Sequence, residues 1–152
     1  MPGFEYGLPE DQGLLTTTAL GDPAAGADYA NVSIQANTRA KIIGFDGTLV
    51  TSVTGGSRKL TIRYNDGANI FTRAAMGTIH LASTTVTYSG ALGGGHAYTN
   101  EFSATGGSVI PFPLLDIVVQ GSDVISFNTL NLAAGDNWGP GFLRLMFWHQ
   151  PS

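Results

Sequence analysis

The sequence predicts an all-β fold: an antiparallel β-sandwich preceded by an extended N-terminal arm. Three observations carry this. Short apolar and β-branched alternations recur at roughly 8–12-residue spacing, as in sandwiches and barrels. Turn residues separate them, with 21 glycines among 152 residues, about twice the usual share. No stretch repeats its apolar residues with the period of an amphipathic helix.

The elements follow in order. Residues 1–29 form the arm. Pro2, Gly3, Gly7, Pro9, Gly13, Gly21, Pro23 and Gly26 punctuate it and oppose helix or long strand. One strand fits within it, Leu14–Leu20, pairing with a neighbour or with the domain's own edge. Residues 30–152 form the sandwich. Val32-Ser33-Ile34 alternates. Lys41–Val53 is a long strand with Asp46-Gly47 inside it. Lys59–Tyr64 ends at Asn65-Asp66-Gly67, and Ile70-Phe71 begins the return. Asn/Asp-Gly between alternations is a hairpin signal, because type I′ turns need positive φ. Thr78–Leu81 and Thr84–Tyr88 are further β-branched runs, and Tyr98–Phe102 is a short one. Val109–Val119 contains Pro111 and Pro113, which belong at an edge or a kink. Val124–Leu132 alternates through Ile125-Ser126-Phe127, and Phe142–Trp148 closes the fold. A jelly roll of about eight strands fits this count best.

Composition narrows the function. Apolar content is 43% and charged content 12%, the latter about half the usual share. Thr, Ser, Asn, Gly and Ala replace the missing charge, giving a neutral, hydrogen-bonding surface suited to contact with other protein. The net charge of −4 argues against nucleic acid, which needs clustered Lys and Arg. Arg58, Lys59, Arg63 and Arg73 are the nearest approach to a cluster and read as the solvent face of two strands. There is no cysteine, so neither disulfides nor thiolate–metal sites are expected. The N-terminus has no basic and apolar leader pattern, and no apolar run is long enough for a spanning helix; no membrane partner is expected.

Charge also divides the chain. Residues 1–29 hold Glu5, Glu10, Asp11, Asp22 and Asp28 without a Lys or Arg, whereas the remaining six acids face all seven bases. Such an arm buries too little apolar surface to order itself. Its anchors, Phe4, Tyr6, Leu8, Leu14 and Leu15, together with Glu5, Glu10 and Asp11, read as side chains for a partner.

Catalytic patterns are sparse. His80, His96 and His149 have no partner at metal-ligand spacing,, so neither metal nor cofactor is expected. His80 reads as a surface or interface residue and His96 as a solvated loop residue. No nucleophile elbow is present. Asp46 and Asp66 precede glycine and read as turn formers, as do Asp123 and Asp136 from their context. Glu101 and Asp116 remain as a carboxylate pair for a hydrolase, and the chain is read as a non-enzyme. Gly93-Gly94-Gly95 reads as a plain loop. Trp138, in the loop Asp136–Gly141, either caps the sandwich, meets a neighbour or stacks on a sugar, with Tyr98 as a second candidate contact.

The segment Gly121-Ser122-Asp123-Val124-Ile125-Ser126-Phe127 and the terminal strand Leu143-Arg144-Leu145-Met146-Phe147-Trp148 look like the last two strands of viral jelly-roll domains. With the Cys-free β-domain, the neutral strands and the leading arm, residues 30–150 resemble decoration (cement) proteins of tailed-phage heads. That resemblance implies a homotrimer on the outer capsid surface, made in the host cytoplasm. The partner would be the major capsid protein, whose subunits it bridges, and the terminal arms reach neighbouring subunits. The alternative is a carbohydrate-binding or receptor-binding sandwich in a head fibre or tail component.

Overall fold

A computed structural model describes residues 13–75, 80–92 and 108–149. These residues are all-β, and no helix occurs among them. The strands are β1 (Leu14–Gly21), β2 (Val32–Ser33), β3 (Thr38–Val50), β4 (Lys59–Asn65), β5 (Ile70–Ala75), β6 (Thr85–Ala91), β7 (Ser108–Pro111), β8 (Val118–Gln120), β9 (Val124–Leu130), β10 (Asn137–Trp138) and β11 (Gly141–His149).

They form two sheets. Sheet A has the order β1-β11-β3-β6-β7, with β8 and β10 also paired to β3; sheet B has the order β2-β9-β4-β5. Every pairing is antiparallel except β6–β7. That exception is the Pro111 strand, which lies at the end of its sheet as proline requires,. The chain alternates between sheets from β1 to β4, turns back within sheet B at the β4–β5 hairpin, and returns to sheet A at β6. At the hairpin, Asp66 Oδ1 accepts from the N–H groups of Ala68 (2.9 Å) and Asn69 (2.6 Å), and Gly67 has φ +93°.

One core lies between the sheets. Ile42, Leu49, Tyr88, Leu143 and Leu145 of sheet A meet Leu60, Ile62, Tyr64 and Ile125 of sheet B, all essentially inaccessible. The period of two makes this possible, since alternate residues of each strand face the same side. In β3 the inward set changes phase, from Thr38, Ala40 and Ile42 to Phe45, Gly47 and Leu49. A β-bulge explains the switch: Leu145 pairs Ile42 while Arg144 pairs Gly44, leaving Ile43 as the extra residue,.

Several expectations change. The Leu14–Leu20 strand pairs with β11, so part of the segment assigned to the arm is the edge of the domain's own sheet A. Leu20 and Tyr29 are buried in the core. Asp46-Gly47 is no turn; it lies within β3. Gly47 instead makes room for Tyr29, whose hydroxyl would lie 2.7 Å from a Cβ there and 2.6 Å from one on Gly141. Only His80 of the Thr78–Leu81 run pairs among the described residues, through a single bridge to Arg58.

Candidate functional site

Buried polar groups come first, since a functional site often leaves such groups unsatisfied. Arg58 and Asp136 are both fully buried, which corrects the reading of Arg58 as a solvent-face residue. Arg58 Nε donates to Asp136 Oδ2 (2.8 Å) and Nη2 to Oδ1 (3.0 Å), while Nη1 donates to the Gly56 carbonyl (2.6 Å). Asp136 also accepts from the Ser52 N–H (2.8 Å), the Ser52 hydroxyl (2.9 Å) and the Ala133 N–H (2.8 Å). Burial alone would raise the Asp136 pKa. The hydrogen bonds from Arg58, Ala133 and Ser52 outweigh it and hold the carboxyl well below its ordinary range,. With both oxygens occupied and no solvent access, this pair is a fastener between the loops after β3 and β9.

His80 is likewise interior, 1% exposed, not a surface residue. Its Nδ1 lies 2.6 Å from the Tyr88 hydroxyl and its Nε2 3.3 Å from the Thr84 carbonyl. Burial first, then the nearby Arg58 charge, lowers its pKa; the Thr84 contact and Asp136 oppose this. Burial raises the Tyr88 pKa, so both partners are neutral near pH 7.

Trp138 is fully buried in β10. Its ring packs against Tyr29 (centroids 5.1 Å apart) and Tyr88 (5.5 Å). The buried ring is closed off from sugar and neighbouring chain, which corrects those two of its three readings and leaves the one in which it caps the sandwich. Tyr29 donates to the Gly139 carbonyl (2.7 Å) and stands edge-on to Phe127 (5.5 Å). Next to it, Asp28 accepts from the Thr129 N–H (3.0 Å) and hydroxyl (2.5 Å), tying the β1–β2 connection to sheet B.

The outer face of sheet A is different. Register places Ala19, Phe142, Asp46 and Ser89 in one row across four strands, and Thr17, Arg144, Gly44 and Ala91 in the next. A third row holds Leu15, Met146 and Lys41. The small residues Gly44 and Ala91 sink the floor beside the bulge, and a shallow open groove of about 410 Å³ results. A Cβ at Gly44 would crowd the Arg144 side chain, 3.3 Å from its Cβ. Partial burial raises the Asp46 pKa, opposed by a hydrogen bond from Ser89. Arg144 is exposed and has no ion-pair partner among the described residues. Phe142 (47% exposed) and Leu15 (46%) flank the groove. The face thus offers apolar area, hydroxyls and a cation with no ion-pair partner among the described residues, a combination that suits binding,.

Of the arm residues read as partner-binding, Leu14 and Leu15 are exposed on β1. Phe4, Glu5, Tyr6, Leu8, Glu10 and Asp11 lie outside the described residues, as do Tyr98, His96, Glu101 and the triple glycine. Asp116 pairs with Lys41 at the surface. No group of three His, Asp or Glu able to hold a metal ion occurs among the described residues. The groove residues Phe142 and Arg144 were missed because each reads as an ordinary strand residue; only cross-strand register assembles them. Comparison with protein-family models, curated proteins and solved structures gives no match.

Proposed function

We propose that this chain is a structural subunit of a virion, a decoration protein that binds the outer capsid surface and bridges major capsid subunits. The supporting observation is the outer face of sheet A, where Leu15 and Phe142 are exposed around a shallow groove. Exposed apolar side chains mixed with hydrogen-bonding groups match the composition of a protein interface, which as a whole is about as apolar as other surface. The strand order supports the finer fold reading. Setting aside β8 and β10, which pair β3 off the main path, and the parallel end strand β7, the eight remaining strands run 1-8-3-6 in sheet A and 2-7-4-5 in sheet B when renumbered in chain order, an order that supports the double Greek key of a jelly roll.

In this reading sheet A contributes the contact with capsid protein and with further copies in a trimer. The N-terminal residues reach a neighbouring subunit, and several modest contacts combine into firm attachment. The test is co-sedimentation with capsids formed by the major capsid protein encoded in the same genome. Binding is expected, with loss on Phe142→Ser or Arg144→Glu. A folded chain that fails to co-sediment overturns the proposal.

The groove also favours a second reading, a carbohydrate-binding or receptor-binding module. Thr17, Asp46, Ser89 and Arg144 beside the Phe142 ring provide hydrogen-bonding groups and a stacking surface,. Glycan-array binding abolished by Phe142→Ala, without capsid binding, would establish it.

A further inference from the structure

The outer face of sheet B carries charge that nothing described balances. Lys59, Arg63 and Arg73 are the charged residues of its four strands, which hold no acid. Arg63 and Arg73 stand directly opposite each other in the β4–β5 pairing, a placement that opposes folding. Arg63 Nη2 donates to Asn128 (2.5 Å), and its buried Nε has no acceptor among the described residues. β5 is also the last strand of sheet B, so among the described residues its outer edge is unpaired. Ile70 and Phe71 on it are 37% and 50% exposed. An open edge presents unpaired N–H and C=O groups, a template for another strand, and its arginines favour an acidic one over a second basic one.

Residues 1–12 complement this edge. They hold Glu5, Glu10 and Asp11 with no Lys or Arg, and Phe4, Tyr6 and Leu8 alternate with Glu5 and Gly7, the period of a strand. We propose that residues 4–8 of one copy add as an antiparallel strand to the β5 edge of a second copy, with Glu5 opposite Arg73. That register places Gly7 opposite Phe71, Leu8 opposite Ile70 and Phe4 opposite Ala74. Glu5 then joins the cationic outer face, and Phe4, Tyr6 and Leu8 turn toward the open edge between the sheets. Pro2 and Pro9 bracket the segment and stop the pairing at both ends.

Reach selects a second copy. Tyr29 packs against both Gly141 of β11 and Phe127 of β9, which stacks the second strand of each sheet and puts β1 and β5 at opposite edges of the sandwich. A strand beyond β5 lies four strand spacings and one sheet gap from β1, roughly 20 Å even straight through the core. The five Cα-to-Cα steps from Leu8 to Gly13 span at most about 18 Å.

The inference rests on the reading of the chain as an assembly subunit and names the partner of its N-terminal segment. Because the chain has no cysteine, engineered disulfides report it directly. Full-length chains carrying Gly7→Cys are mixed with chains carrying Phe71→Cys and oxidised. A disulfide-linked heterodimer is expected. It should be lost when Arg73→Glu is added to the Phe71→Cys chain and restored when Glu5→Arg is added to the Gly7→Cys chain. Circular dichroism of each variant establishes that it is folded. Absence of the heterodimer between folded chains overturns the proposal, as does a heterodimer indifferent to Arg73→Glu. An intrachain disulfide in a chain carrying both cysteines, without the heterodimer, assigns the segment to its own edge and also overturns it. Capsid co-sedimentation reads separately. Heterodimer without capsid binding leaves this inference standing and removes the decoration role; capsid binding without heterodimer does the reverse.

Discussion

Arg58 and Arg63 are five residues apart, yet they occupy opposite regimes of the same molecule. Arg58 is fully buried and bonded on three nitrogens to Asp136 and Gly56. Arg63 lies on an outer face, opposite Arg73, with one hydrogen bond to Asn128. The difference teaches where stability and function separate. Removing a guanidinium from water requires nearly complete hydrogen-bond compensation, so buried charge marks a site dedicated to the fold. Charge left without a counterion on an outer face costs less and stays available to a partner. The same contrast separates buried Trp138 from exposed Phe142.

The largest expected effect comes from breaking the buried side. Asp136→Ala leaves the Arg58 guanidinium buried and unpaired, and should cost about 3–5 kcal/mol by denaturant unfolding. A loss below 1 kcal/mol would show that Arg58 reaches water, and would erase the contrast. Next is Gly47→Ala, whose Cβ would sit 2.7 Å from the Tyr29 hydroxyl. Its crowding should cost about 1–3 kcal/mol, and Tyr29→Phe in the same chain should recover part of the loss.

A pH titration sharpens the comparison further. The native His80 pKa is lowered, so the unfolded chain binds its proton first, near pH 6.5. Between that value and the lower native pKa, stability should fall as pH falls, by at most about 1.4 kcal/mol per pH unit. His80→Gln should flatten this slope. Asp136 acts in a lower window. Its native pKa is also depressed, so its contribution is complete above about pH 3.9 and is lost as pH drops through the native value. The His80 variant should retain that second loss.

The smallest stability effect is expected on the outer face of sheet A. Phe142→Ser and Arg144→Glu should change unfolding free energy by no more than about 0.5 kcal/mol, although the same variants abolish binding under the proposed function. A larger loss would mean that the face serves the fold as well.

The all-β class was legible because alternation and turn chemistry are local. Val124–Leu130 and the Asp66-Gly67 turn announce themselves within a few residues. The acidic N-terminus and the neutral surface are likewise matters of composition. What tertiary structure decided is everything set by pairing across distance. Asp136 is the turn residue its context suggested, bonded to Ala133, but nothing near it in sequence shows the guanidinium 78 residues away that it also holds, and nothing near Gly47 shows that Tyr29 passes beside it. The groove joins rows from β1, β3, β6 and β11, at positions that share no sequence neighbourhood. Period and turn propensity come from the backbone of each short segment and are written in order along the chain. Burial, charge pairing and register depend on which segments meet, and a one-residue change of register would turn each side chain to the other face.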